Sequence, residues 1–224
     1  MNNGRYKNQN VAVLGAGLSG SAAALLLASE GAQVTLLDSA GENKLLKSTL
    51  DNLRAHGVRV VCGSDADRDS SVYDWMVLSP GIDPVSLLAR NFSSRGIETI
   101  SELELGWRSC ERPVIAITGT NGKTTTTELL AQMLNACGHR TIACGNIGKP
   151  LSEVARENQP LDVLTVEVSS FQLEAIRKFR PSISLWLNFA PDHLDRYRSV
   201  AEYRAAKLRI FENQTSEDVA VLNA

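Results

Sequence analysis

Val11-Ala-Val-Leu-Gly15-Ala-Gly17-Leu-Ser-Gly20-Ser-Ala-Ala-Ala-Leu-Leu-Leu sets the fold of the first half of the chain. A β-branched run of strand length meets three spaced glycines, and a longer run of small and apolar residues follows. That order predicts a strand, a tight turn and a helix. The glycines let the backbone approach a diphosphate, and the helix start offers amides and partial positive charge. Asp38 closes the next apolar run, where its carboxylate can accept from a ribose hydroxyl. The motif does not say which nucleotide is bound, and glycines in such a turn also serve close packing of helix on strand.

Working outward, short β-branched runs alternate with helical patterns along the whole chain. Strands are predicted at residues 11–14, 33–37, 59–62, 74–78 and 98–100, with helices at 19–30, 44–56 and 85–94. Ser101-Glu-Leu-Glu104 fits a capping box for a helix that ends near Cys110. Leu78-Ser79-Pro80-Gly81-Ile82 is a turn after a strand, which places Ser79 and the Gly81 amide at the edge where open sheets bind ligands. A second cycle follows Pro113, with strands at 114–118, 141–144, 162–167, 183–187 and 218–222 and helices at 124–137 and 199–212. Strict alternation of this kind predicts an α/β protein with parallel sheets. A Rossmann-like N-terminal domain over residues 1–110 would precede a P-loop ATPase-type parallel-sheet domain over 111–224, expected to be truncated because it ends on a strand without a closing helix.

The second cycle carries its own glycine turn, Thr118-Gly119-Thr120-Asn121-Gly122-Lys123-Thr124-Thr125. Consecutive amides there form an anion-binding concavity, Lys123 reaches β- and γ-phosphates, and the Thr124 hydroxyl ligates Mg²⁺. The standard spacing puts a glycine at 117, where this chain has Ile117, so the loop is a shortened variant. A phosphate loop needs a carboxylate for its metal, and Glu167, at the end of an apolar strand, should emerge at the same sheet edge. Asn188 ends the strand at 183–187, and Asp192-His193-Leu-Asp195 follows, placing His193 beside two carboxylates. On a wheel of about 100° per residue, Lys207 sits in an apolar stripe with Val200, Tyr203, Ile210 and Phe211. Such a lysine either lays its stem on the core and reaches outward, or is desolvated with a lowered pKa and open to modification.

Composition narrows the classes further. With 224 residues, 43% hydrophobic and 21% charged, the chain is an ordinary globular protein of one large or two small domains. A net charge of −2 offers no global pull on nucleic acid or acidic membranes, so phosphate must be held locally. The amide-rich start and the absence of an apolar run near 20 residues imply a cytoplasmic protein. Cys62, Cys110, Cys137 and Cys144 form no C-x-x-C pair, and they are expected to be reduced, buried small hydrophobes.

Taken together, Gly15-Ala-Gly-Leu-Ser-Gly20, Ser79-Pro-Gly81, Thr118 to Thr124, Gly145-Asn-Ile-Gly148, Glu167-Val-Ser-Ser-Phe-Gln-Leu-Glu174, Asn188 to Arg196 and Tyr203-Arg-Ala-Ala-Lys207 resemble the Mur ligases, above all their D-glutamate-adding branch. The resemblance implies that the first domain holds the uridine nucleotide of UDP-N-acetylmuramoyl-L-alanine, with Leu18 and Ser19 at the phosphates. Asp38 and Ser39 would lie near the uridine, and Ser79, Pro80 and Gly81 would line the same cleft. Gly119, Thr120, Asn121, Gly122, Lys123, Thr124 and Thr125 would cradle ATP. Thr124 and Glu167 would hold one Mg²⁺, while His193 and a Lys207 carbamylated by CO₂ would serve a second; Lys123, His193 and Lys207 are the residues implied in catalysis. Asn146 and Ser169 would face the muramoyl-peptide or its phosphate environment. The implied reaction is ATP-dependent amide synthesis through an acyl phosphate, with D-glutamate as acceptor, in a monomer. Family members carry a further C-terminal domain, so this chain is expected to bind nucleotides without completing ligation. Alternatives are a folylpolyglutamate synthase, against which residues 11–100 argue, a nicotinamide-dependent oxidoreductase, and a non-catalytic nucleotide-binding module.

Overall fold

Short runs of Val, Ile and Leu become strands because each is too short for a helix and is bounded by glycine or polar turns. The computed structural model describes residues 4–83 and 85–223. In order, the first half carries β1 (Asn10–Leu14), α1 (Leu18–Ser29), β2 (Gln33–Asp38), α2 (Lys47–Ala55), β3 (Arg59–Cys62), α3 (Ser64–Asp67), β4 (Trp75–Leu78), α4 (Leu87–Ser93), β5 (Glu98–Ser101) and α5 (Glu102–Ser109). Its five strands pair in parallel in the order β3-β2-β1-β4-β5. Leu14 lies opposite both Leu37 and Leu78, so Gly15, Asp38 and Ser79 leave the sheet side by side. The chain winds to both sides of β1, and the carboxyl end of such a strand is where open sheets bind ligands. Val11 to Leu14 are fully buried, and the alanines and leucines of α1 are buried with them.

The second half carries β6 (Val114–Thr118), α6 (Lys123–Ala136), β7 (Ala143–Gly145), α7 (Leu151–Glu157), β8 (Leu164–Glu167), α8 (Ser170–Leu173), β9 (Ile183–Trp186), α9 (Val200–Leu208) and β10 (Val219–Leu222). This sheet is also parallel, ordered β10-β9-β6-β8-β7, with β6 at its centre. Ile117 pairs with Glu167 and Thr118 with Trp186, so the β6–α6 loop, Glu167 and Asn188 share one edge.

Two compact units result, Met1–Leu105 and Gly106–Ala224. The division falls inside α5 rather than at residue 110. A Cβ on Gly106 would stand 2.6 Å from the Ser152 amide nitrogen, so at this glycine the helix comes close to the start of α7.

Three short helices, α3, α7 and α8, were not among the expected elements. α7 is signalled by Pro150 ahead of Leu151 and Val154, and α8 by the capping pair Ser169 and Gln172. The helix expected over 199–212 ends at Leu208 and tightens into a 3₁₀ turn over Arg209–Phe211. The cysteines are free as expected, but only Cys144 is buried. Cys137 is exposed because it caps the C-terminal end of α6, past the helix's packed turns. Among the described residues no helix is long and apolar enough to cross a membrane.

Candidate functional site

The loop between β6 and α6 is shaped by two glycines. Gly119 has φ +156°, and a Cβ there would press to 3.1 Å from Leu187 Cβ. Gly122, at φ +80°, is the N-cap of α6 and gives it no side-chain cap, which leaves first-turn amides for an anion. Ile117, at the place of the glycine of a longer loop, is fully buried in β6, so the turn begins two residues later.

The strand next door holds the loop in shape. Thr120 N donates to Asn188 O at 3.2 Å, and the Asn188 side chain accepts from Asn121 N at 2.9 Å and donates to Asn121 O at 3.0 Å. Thr120 Oγ1 donates to Ala190 O at 3.1 Å and accepts from Ala190 N at 3.0 Å. Lys123 Nζ arches back to donate to Thr120 O at 3.0 Å. Such a loop is organised before any phosphate arrives, which lowers the entropy lost on binding.

Beside the helix start, Thr124 Oγ1 donates to Glu167 Oε2 at 2.7 Å. Glu167 is only 2% exposed, and its other oxygen accepts from Asn146 Nδ2 at 2.8 Å. Asn146 is delivered by Gly145, where a Cβ would sit 2.5 Å from Glu167 O, so only glycine allows the approach. Asn146 therefore clamps the carboxylate. Ser169 accepts from Gln172 N at 3.3 Å in a full capping box, so its hydroxyl starts α8.

A hydroxyl and a carboxylate held together at the mouth of a phosphate loop are hard oxygen donors. They fit Mg²⁺, which takes one or two carboxylates and completes its octahedron with water and substrate phosphates. Among the described residues no group of three or more His, Cys, Asp or Glu gathers into a protein-only cage.

Lys207 and His193 both lie against Tyr203. Lys207 is 2% exposed and donates from Nζ to Gly119 O at 2.9 Å. Burial, and secondly the charge of Lys123, push its pKa down to about 8. The amine stands 5.0 Å from the centre of the Tyr203 ring, whose hydroxyl is 3.4 Å from Thr120 Oγ1. His193 adopts φ +54° and is well exposed, with its ring 5.8 Å from Tyr203 and 4.9 Å from Phe171. What the two residues share is Tyr203. A protonated lysine has only donors, and conversion of its amine to a carbamate would give it oxygen atoms suited to a hard cation.

In the first unit, a Cβ on Gly20 would fall 1.9 Å from Gly15 O, which makes glycine obligatory there. Gly17, in contrast, faces open space and starts α1 without a side-chain cap. Asp38 is spent on the turn itself: Oδ2 accepts from Ala16 N at 2.7 Å and Oδ1 from Ala40 N at 2.8 Å. Ser79 is buried beside Gly15, while Ser39 donates to Asp67 Oδ1 at 2.6 Å. Leu18 is 67% exposed at the helix start, Ser19 and Pro80 are partly exposed, and Gly81 is open. The backbone of 17–19 is thus the open part of the turn, and Asp38 and Ser79 brace the residues just before it. Tyr203, Asn188 and Asn146 as loop supports were not legible as such, because each acts through residues remote in sequence.

Residues 117–224 match the Mur ligase middle domain, and residues 13–67 match an NAD(P)-binding Rossmann-like domain. Over 217 residues the chain is 42% identical to the UDP-N-acetylmuramoylalanine–D-glutamate ligase of Trichlorobacter lovleyi, covering 97% of this chain and 48% of the relative. The enzyme of the same name from Geobacter metallireducens is 45% identical over 215 residues, covering 96% and 47%. The chain spans about half the length of the curated relatives it matches. Among solved structures, the UDP-N-acetylmuramate:L-alanyl-gamma-D-glutamyl-meso-diaminopimelate ligase of Neisseria meningitides aligns with TM-score 0.61 at 20% identity, covering 97% of this chain and 72% of that one, a likeness of fold. The second half of the chain is thus similar to a Mur ligase middle domain, and nearly all of the chain is similar to about half the length of D-glutamate ligases.

Proposed function

We propose that the chain supplies two nucleotide sites of an ATP-dependent ligase that joins D-glutamate to UDP-N-acetylmuramoyl-L-alanine. The observation that carries this is the Thr124–Glu167 pair at 2.7 Å beside the uncapped start of α6, in a chain 42% identical to ligases of that name. The reaction takes place in two displacements. The L-alanyl carboxylate attacks the γ-phosphorus of ATP, giving an acyl phosphate and ADP; the D-glutamate amine then attacks the acyl carbon and phosphate leaves. Amides of 119–125 and Lys123 hold the phosphates and offset the charge on the transferred phosphoryl group. Thr124 and Glu167 would hold Mg²⁺, which would supply neutralisation of the phosphate charge. Lys207, if carbamylated, and His193 would serve a second Mg²⁺. In the first unit Leu18 and Ser19 take the diphosphate, Asp38 and Ser39 lie toward the uridine, and Ser79 to Gly81 line that cleft; Asn146 and Ser169 approach the muramoyl-peptide side. The same reading takes the enzyme as a cytoplasmic monomer that acts without nucleic acid or membrane.

Thermal-shift titration tests this, since a ligand that binds the native state raises stability in proportion to ln(1 + [L]/Kd). MgATP and UDP-N-acetylmuramoyl-L-alanine should each stabilise the chain, and NADH should not. The match of residues 13–67 to an NAD(P)-binding domain supports a second reading, a nicotinamide site. Stabilisation by NADH with no response to the uridine substrate would establish that reading instead.

A further inference from the structure

His193 sits in a left-handed turn, φ +54°, an unfavourable conformation for a residue with a Cβ, so something must hold it. Its carbonyl oxygen accepts from both Arg196 N and Tyr197 N, each at 3.0 Å. Both of those residues reach the same carboxylate: Arg196 Nη2 donates to Glu174 Oε2 at 2.7 Å and Tyr197 Oη to Glu174 Oε1 at 2.6 Å. The Arg196 guanidinium also lies 4.2 Å over the Phe171 ring, on which the His193 imidazole packs. Burial, then the Glu174 carboxylate, push the Tyr197 pKa up, so its hydroxyl remains the donor.

From this geometry we infer that Glu174, at the end of α8, is a positioning residue that sets the backbone and ring orientation of His193. The inference rests on the reading of His193 as part of the phosphoryl-transfer site. Glu174 touches no reacting group. It joins the two residues whose amides fix the His193 carbonyl, and it sets the guanidinium on the ring that His193 packs against.

The test is NMR of the histidine ring protons in the metal-free chain. His193, packed on Phe171 and Tyr203, carries ring-current shifts, and its signals are identified by their loss in His193→Gln. In Glu174→Ala they should move toward the positions of the exposed His56 and His139. Glu174→Gln and Tyr197→Phe, which remove one contact each, should give smaller shifts in the same direction. Mn²⁺ alone then serves as a paramagnetic probe: about tenfold more should be needed to broaden His193 in Glu174→Ala, the usual loss when an outer partner of a metal site is removed. Unmoved His193 signals in Glu174→Ala overturn the inference, as do unmoved signals in both milder variants should the alanine variant not fold. Ring signals that shift while Mn²⁺ fails to broaden His193 even in the unchanged chain uphold the positioning role and remove His193 from the metal site.

Discussion

Lys207 is an amine in a setting built for hydrocarbon, and its pH behaviour follows from that. The unfolded chain keeps it protonated up to its ordinary value of 10.5, whereas the folded chain gives up the proton near 8. Between those values the unfolded state binds more protons, so this group makes stability rise with pH; below about 8 the penalty of burying the cation is present in full. The advantage of Lys207→Met over the parent should therefore shrink by on the order of 2 kcal/mol between pH 8 and 10.5, read from urea midpoints without metal. Two more residues admit sharp tests. Lys123→Ala should weaken ATP binding roughly 10- to 100-fold by calorimetry, matching the 1.5–3 kcal/mol of a charge-assisted hydrogen bond. Glu167→Gln should abolish the gain in ATP affinity that Mg²⁺ provides while leaving metal-free ATP binding within about threefold, since a neutral amide is a poor partner for a hard cation. Equal Mg²⁺ dependence in parent and variant would remove Glu167 from the metal site.

At the scale of elements, the two glycine turns behave differently under substitution. Gly20→Ala forces a Cβ into the Gly15 carbonyl and should lower stability by about 3 kcal/mol or more, or prevent folding, as seen by thermal melts. Gly17→Ala meets open space at φ −70° and should cost about 1 kcal/mol or less, while reducing affinity for a uridine diphosphate-sugar if the diphosphate rests on that backbone. The turns themselves were legible because each is a local event: a strand-length apolar run, glycines at fixed offsets, then helix formers. α7 and α8 carry local cues but no periodic signal, since helices of seven and four residues hold too few turns to show an amphipathic repeat. The exposure of Cys137 depended on where α6 ends, and composition carries no information on that.

For the molecule as a whole, the two units should respond separately to their ligands. By amide hydrogen exchange, MgATP should slow residues 119–125 and a uridine diphosphate-sugar should slow residues 15–20, because each ligand stabilises only the segment it binds. Protection of 119–125 by the uridine compound alone would contradict the assignment. By itself the sequence determined the α/β class, the place of both glycine turns and the residue types at their rims, because strand, turn and helix chemistry is set by neighbours along the chain. Tertiary structure alone decided which rim residues meet. Thr124 reaches Glu167 across 43 positions and Lys207 reaches Gly119 across 88, contacts that exist because the sheet places β6 between β8 and β9. Strand order is a property of packing between elements, and it also decided that the Asp38 side chain accepts from the Ala16 and Ala40 amides and that the Asn146 side chain donates to the Glu167 carboxylate.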